Sequence, residues 1–185
     1  MDKQHGPWTI KKRVQKYKGL KVNLYEDQVI RPDGKESVYT TIKMADGVSV
    51  LPLDDDGFVY LVREFKYVLG RDDVATVTGG IDSNESPLAA AKRELQEEVG
   101  IEAKKWIKLG VTYPFTGIVE SAAYLFLARD LSFGKSNPDG TEVIECLRVR
   151  FEEAVNMALK SEIIHSQSCV LILKANEYLR AHNEL

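Results

Sequence analysis

Between Trp8 and Tyr67 the chain reads "WTIKKRVQKYKGLKVNLYEDQVIRPDGKESVYTTIKMADGVSVLPLDDDGFVYLVREFKY", short runs of β-branched and aromatic residues broken by polar turn clusters. That pattern predicts strands over roughly 8–14, 21–30, 37–44, 47–53 and 58–66, with "RPDGK" and "DDDG" as turns. "DDDG" is expected to close a hairpin. A further short strand is expected near 74–78. The period then changes. From Pro87 to Val99 apolar positions recur at helical spacing. Ser86 suits the N-cap, Pro87 the first helical position and Gly100 the left-handed position after the last turn. Strands follow near 106–113, 121–128 and 144–150, and helices near 151–160 and 167–182. "SFGKSNPDGTE" reads as a loop. The expected architecture is α/β. A strand-rich N-terminal subdomain covers 1–44, and a mixed body covers 45–185.

Composition narrows the picture. The chain has 185 residues, 44% hydrophobic and 29% charged, enough for one domain with a substantial core. The net charge of -3 argues against general affinity for nucleic acid or anionic membranes. The longest apolar runs are too short to span a bilayer, and "MDKQHGPWTIKKR" carries no apolar signal segment. Cys146 and Cys169 form no metal-binding pattern. They are expected as reduced thiols at core positions of a cytoplasmic protein. His5, His165 and His182 are scattered and are assigned no role.

The charge on the predicted helix is less ordinary. With Ala90 at zero and an advance of about 100° per residue, Leu88, Ala91, Leu95 and Val99 form an apolar stripe between roughly 100° and 180°. Glu94, Glu97 and Glu98 fall together between roughly -20° and 80°. Like charges at this spacing repel, and acids near a helix C-terminus oppose the macrodipole. A solvated acidic face is one explanation. A divalent cation is another, since clustered carboxylates suit Mg²⁺ or Mn²⁺, hard ions that bridge to phosphates. Gly79 and Gly80, just ahead of the helix, supply a backbone that allows close approach.

The stretch "GGIDSNESPLAAAKRELQEEVGI" resembles a complete Nudix box: Gly79, five residues, Glu85, seven residues, then Arg93-Glu94-Leu95-x-Glu97-Glu98-x-Gly100-Ile101. The resemblance implies the Nudix fold, an α/β/α sandwich around a mixed sheet, with the box as loop-helix-loop. It implies hydrolysis of a nucleoside diphosphate linked to another group, with two or three Mg²⁺ or Mn²⁺ ions. It makes Glu94 and Glu98 the principal metal ligands and Glu97 a further ligand or catalytic contact. The Thr78 carbonyl joins them, while Gly79, Glu85, Arg93 and Gly100 hold the box in shape.

More weakly, most of the chain resembles the ADP-ribose pyrophosphatases and related nucleoside-diphosphate-sugar hydrolases. In that branch the N-terminal segment helps to build a homodimer. "LVREFKY" is similar to a strand of the branch that ends in Gln-aromatic-Arg, here with Glu64 and Lys66 in their places. Lys66 and Arg63 are therefore candidate substrate contacts, as is Glu120 in "YPFTGIVES". "NPDGTEVIE" takes the place of a late acidic loop, which makes Glu142 the first candidate general base and Glu145 the second. Trp8, Tyr17 and Tyr25 offer aromatic surface for a purine or for packing. The expected substrate is ADP-ribose. A GDP-sugar such as GDP-mannose is the alternative, because "VATVTGG" departs from the branch's usual residues. A non-catalytic nucleotide-sugar sensor is a further alternative.

Overall fold

The computed structural model describes residues 2–137 and 143–184. In chain order the strands are β1 (Lys3–His5), β2 (Trp8–Lys18), β3 (Val22–Ile30), β4 (Glu36–Met44), β5 (Gly47–Pro52), β6 (Phe58–Lys66), β7 (Arg71–Ala75) and β8 (Val77–Gly80). Helix α1 (Pro87–Val99) follows, then β9 (Ile101–Thr112), β10 (Val119–Glu120), β11 (Ala123–Phe133), β12 (Ile144–Arg150), α2 (Phe151–Leu159) and α3 (Ser166–Ala181). The elements form two compact units. One takes the described residues up to Ala45 together with Tyr113–Ala122, and the other takes Asp46–Thr112 and the described residues from Ala123 onward.

The first unit is a five-stranded sheet in the order β1-β2-β3-β4-β10. Its strands are antiparallel apart from β10, which lies parallel to β4. The "RPDG" turn closes β3 onto β4, with Gly34 at a positive φ of 81° and its N–H donating to the Arg31 carbonyl. Few side chains here are fully buried. Asp27 is one, and Arg13 holds its two carboxylate oxygens in a fork of two 2.7 Å hydrogen bonds. That pair forms part of the wall of a cavity of about 1020 Å³, along with Trp8, Tyr39 and Tyr113.

The second unit carries two sheets, β8-β5-β11-β9 and β12-β6-β7. Their central strands are apolar on both faces, so alternate residues serve two separate cores. Leu51, Leu53, Leu61, Leu125 and Leu127 pack towards α2 and α3, against Phe151, Leu171 and Leu179. Val48, Val50, Val62, Val77 and Phe126 pack towards α1, against Ala90, Ala91 and Leu95. This is the expected α/β/α layering. Among the described residues no helix is long and apolar enough to cross a membrane.

Several expectations need correction. "DDDG" does not close a regular hairpin. The turn itself forms, with an antiparallel bridge between Leu53 and Val59 and the Asp54 N–H donating to the Phe58 carbonyl at 2.9 Å, but β5 and β6 belong to different sheets. A continuous ladder would have held both strands in one plane, whereas the chain here changes sheet. Leu88, placed in the apolar stripe, is 38% exposed, while Ala90, at 0° within the sector that also carries the acids, is fully buried. Cys146 is exposed, since it lies on the open side of β12. Strand β1 was not expected at all.

Candidate active site

Helix α1 begins and ends where the sequence dictates. The Ser86 hydroxyl accepts the Ala89 N–H at 3.2 Å, and Gly100 adopts φ 66° in the left-handed region. A side chain on Gly100 would also run into the backbone of Gly134, Lys135 and Ser136. That backbone straps the end of the helix. The Gly134 N–H donates to the Gly100 carbonyl at 2.7 Å, and the Asn137 N–H donates to the Glu97 carbonyl at 2.9 Å. Carbonyls of the last turn that the helix cannot satisfy are thus partly taken up by the segment leading into residues 138–142.

Upstream, β8 carries the two glycines to the acidic face. A Cβ on Gly79 would overlap the carboxylate of Glu94. Glycine is required there for close approach rather than for an unusual φ. Glu94 is mostly buried, Glu97 is 40% exposed, and one carboxylate oxygen of Glu98 is shut off from solvent.

Arg93 links these acids. Its guanidinium donates to both oxygens of Glu85 (3.1 and 3.0 Å), to Glu94 (2.7 Å), to Glu97 (3.1 Å) and to the Gly80 carbonyl (2.9 Å). Hydrogen bonding to Arg93 holds the Glu85 carboxyl below the usual glutamate range, against the opposing effect of burial. The Asp82 N–H also donates to Glu85. Reciprocally, the Glu85 hydrogen bonds push the Arg93 pKa up. The repulsion expected among the helix acids is therefore offset in part by this arginine. That contact, and the use of the Gly80 carbonyl, were not foreseen. The Gly-Gly pair was the only sequence signal for the latter.

The other candidates fall as follows. Thr78 lies in β8, directly across from Ser49 in β5. Arg63 and Glu145 face each other on β6 and β12, joined at 2.8 Å. Lys66 is paired with Glu64 on its own strand. Glu120 lies in the N-terminal unit, paired with Lys43 at 3.3 Å. Glu142 lies outside the described residues. Trp8 meets Tyr39 edge-on at 5.5 Å, Arg13 lies over the Tyr25 ring, and Tyr17 is exposed.

For a divalent ion the donor chemistry is suitable. Hard carboxylate oxygens share one helix face, above a glycine that leaves room for them. Among the described residues no three such side chains are already gathered as a ligand set, and Glu94 and Glu97 each accept a hydrogen bond from Arg93.

An acid-bearing helix framed by glycines, joined by one arginine and set in an α/β/α body, defines a class. The NUDIX domain matches residues 43–168, and the chain belongs to the Nudix family. Within it, the chain is 32% identical over 173 residues to an ADP-ribose pyrophosphatase of Bacillus subtilis, covering 91% of this chain and 94% of that one. It is 25% identical to a methanol dehydrogenase activator of Bacillus methanolicus, over 94% of this chain and 93% of that one. It is 29% identical to a GDP-mannose pyrophosphatase of an Enterobacter species, over 62% of this chain and 64% of that one. A solved structure described as an ADP compounds hydrolase superposes with a TM-score of 0.86, covering 99% of this chain and 100% of that one at 20% identity.

Proposed function

We propose that this chain hydrolyses the pyrophosphate bond of nucleoside diphosphate sugars, with ADP-ribose as its principal substrate and AMP and ribose 5-phosphate as products. The observation that carries the reading is the assembled box: Glu94 seated over Gly79, with Glu97 and Glu98 on the same helix and Arg93 tying the face to Glu85. The near full-length likeness to an ADP-ribose pyrophosphatase supports the choice of substrate. GDP-mannose is the second reading, supported by the relatives named for it.

In this reading Glu94, Glu98 and Glu97, with the Thr78 carbonyl, hold two or three Mg²⁺ ions, or Mn²⁺ in their place. When bound, such ions neutralise pyrophosphate charge and acidify water. The chain supplies the rest. Arg93 and Glu85 fix the helix face. A carboxylate, Glu142 first and Glu145 second, takes the proton of the attacking water as its oxygen bonds to phosphorus and the bridging P–O bond breaks. Lys66 and Arg63 meet phosphate oxygens once released from Glu64 and Glu145, and Glu120 contacts substrate. The working form is a cytoplasmic homodimer in which the N-terminal unit contributes to dimerisation and substrate contact.

The test is a hydrolysis panel with Mg²⁺ and products read by mass spectrometry. It covers ADP-ribose, ADP-glucose, GDP-mannose, UDP-glucose, NADH, nucleoside triphosphates and capped RNA. Cleavage of nucleotide sugars to a nucleoside monophosphate and a sugar phosphate is expected, with ADP-ribose fastest and Glu98→Gln inactive. Binding of ADP-ribose without turnover of any compound would instead favour the sensor reading.

A further inference from the structure

Behind the box, on the α3 side of the sheet, three buried hydroxyls form a line that ends at a histidine. The Ser49 Oγ lies 2.6 Å from the Thr76 Oγ1, which lies 2.9 Å from the Ser168 Oγ, which lies 2.8 Å from the Nδ1 of His165. Ser49, Thr76 and Ser168 are fully buried. The Thr76 N–H also donates to the Ser168 Oγ at 3.0 Å. Thr76 falls at the break between β7 and β8, two residues before Thr78, and Ser49 sits directly across from Thr78. The line thus brackets the residue whose carbonyl the proposed site uses.

Counting protons fixes its direction. If the His165 Nδ1 carries no proton, Ser49 donates to Thr76, Thr76 to Ser168 and Ser168 to Nδ1. All three hydroxyl protons are then used, and the two acceptor positions of Ser168 are filled by the Thr76 hydroxyl and N–H. If Nδ1 is protonated, every donor reverses. The Ser49 hydroxyl proton is then left, among the described residues, with no acceptor in a fully buried position, an arrangement that folded proteins avoid.

We infer that the Ser49–Thr76–Ser168 line holds His165 as the neutral tautomer protonated on Nε2, and that His165 in this form is a positioning residue that fixes Thr76 and, through it, the approach of Thr78 to the active face. The inference rests on the proposed hydrolase reading for its effect on rate, but not for the tautomer. Two further features act the same way. His165 is the N-cap residue of α3, where the helix dipole disfavours a cation. Burial, then the nearby Lys66 charge, lower its pKa below the ordinary 6.5, with Asp73 opposing. The charged groups facing the ring are Lys66 at the end of β6 and Asp73 in β7, and the Cys169 thiol lies on its own helix. Because the folded pKa is depressed, the contribution to stability is complete above 6.5 and is lost as pH falls through the folded value.

The experiment combines ¹⁵N-histidine NMR with pH–rate profiles on the full chain. The expected spectrum shows a neutral ring with the proton on Nε2 and a titration below the ordinary histidine range. Ser168→Ala, or Thr76→Val if that variant does not fold, should weaken the tautomer preference and raise the titration point. With ADP-ribose, protonation of His165 should lower kcat about tenfold, the size typical of lost support behind an active-site ligand. In His165→Asn, whose amide accepts from Ser168 at every pH, that acidic limb should disappear while neutral-pH activity is kept. A proton on Nδ1, or a titration unchanged by removing the hydroxyls, overturns the tautomer assignment. Identical acidic limbs in wild type and His165→Asn overturn the positioning role. Absence of all turnover with the expected spectrum overturns the hydrolase reading and leaves the tautomer standing.

Discussion

A methyl group on Gly79 would land on the Glu94 carboxylate, so this glycine leaves the space that the carboxylate occupies. Gly79→Ala is expected to displace the Glu94 carboxylate and lower activity, at a smaller cost in stability than the about 1–3 kcal/mol of core overpacking, because the end of a flexible side chain can turn aside. Thermal unfolding and hydrolysis measured side by side would check it. An unchanged melting temperature with full activity would show that the contact is not needed. Acid stability is argued at the same scale. Glu85 is held below the ordinary 4.5 by Arg93, so its contribution is complete above about that pH and is lost as pH falls through the folded value. Glu85→Gln should flatten the acidic side of the stability curve, as read by urea midpoints between pH 3 and 7. The box residues were legible because their chemistry demands a fixed spacing along one helix. Their partners were less so. Nothing in the sequence shows that Arg93 spans Glu85, Glu94 and Glu97 at once, that Glu145 turns to Arg63, or that Lys66 turns to Glu64, because each depends on which rotamer the surrounding structure selects.

At the scale of elements, α1 is delimited by local signals, to which the strap of Gly134–Asn137 adds at its C-terminal end. Its 87–99 span was readable from Ser86, Pro87 and Gly100 alone. Ser86→Ala should cost about 1 kcal/mol, the usual value of a lost N-cap. Gly100→Ala should cost more, since it combines a left-handed φ with a clash against the backbone of 134–136. Chemical denaturation of both variants would test the order, and a larger loss for Ser86→Ala would contradict it. Strand positions were legible for the same reason, from turn residues and β-branched runs. Sheet membership was not. Whether β5 and β6 share a ladder depends on long-range pairing, and the pattern of "VSVLPLDDDGFVYLV" is the same in either case.

For the molecule as a whole, the second unit divides its apolar side chains between two faces. Leu95 and Leu171 are both fully buried, one on the inner face of α1 and one on the inner face of α3. Either change to alanine should cost about 2–5 kcal/mol. Only Leu95→Ala should also disturb hydrolysis out of proportion to stability, because its helix carries the acids. Activity per folded molecule, measured after titrating both variants to equal folded fraction, separates the two effects. The proposed dimer predicts a solution mass twice the 20.8 kDa of the chain by light scattering, and a mass of one chain alone would refute it. The sequence showed an N-terminal strand-rich segment, but not that Tyr113–Ala122 returns to the same unit, because a two-residue strand such as β10 has no pattern of its own.

The arginine at the centre of the box has one more consequence, for the newly made chain. Arg93 already serves Glu85, Glu94 and Glu97 as an internal counter-ion. Maturation in the cell then need not wait on metal supply. In the proposed reading the polypeptide would fold before any ion is bound and become active once ions and substrate arrive together. Protein produced in the presence of a strong chelator should be as abundant and as protease-resistant as protein produced without it.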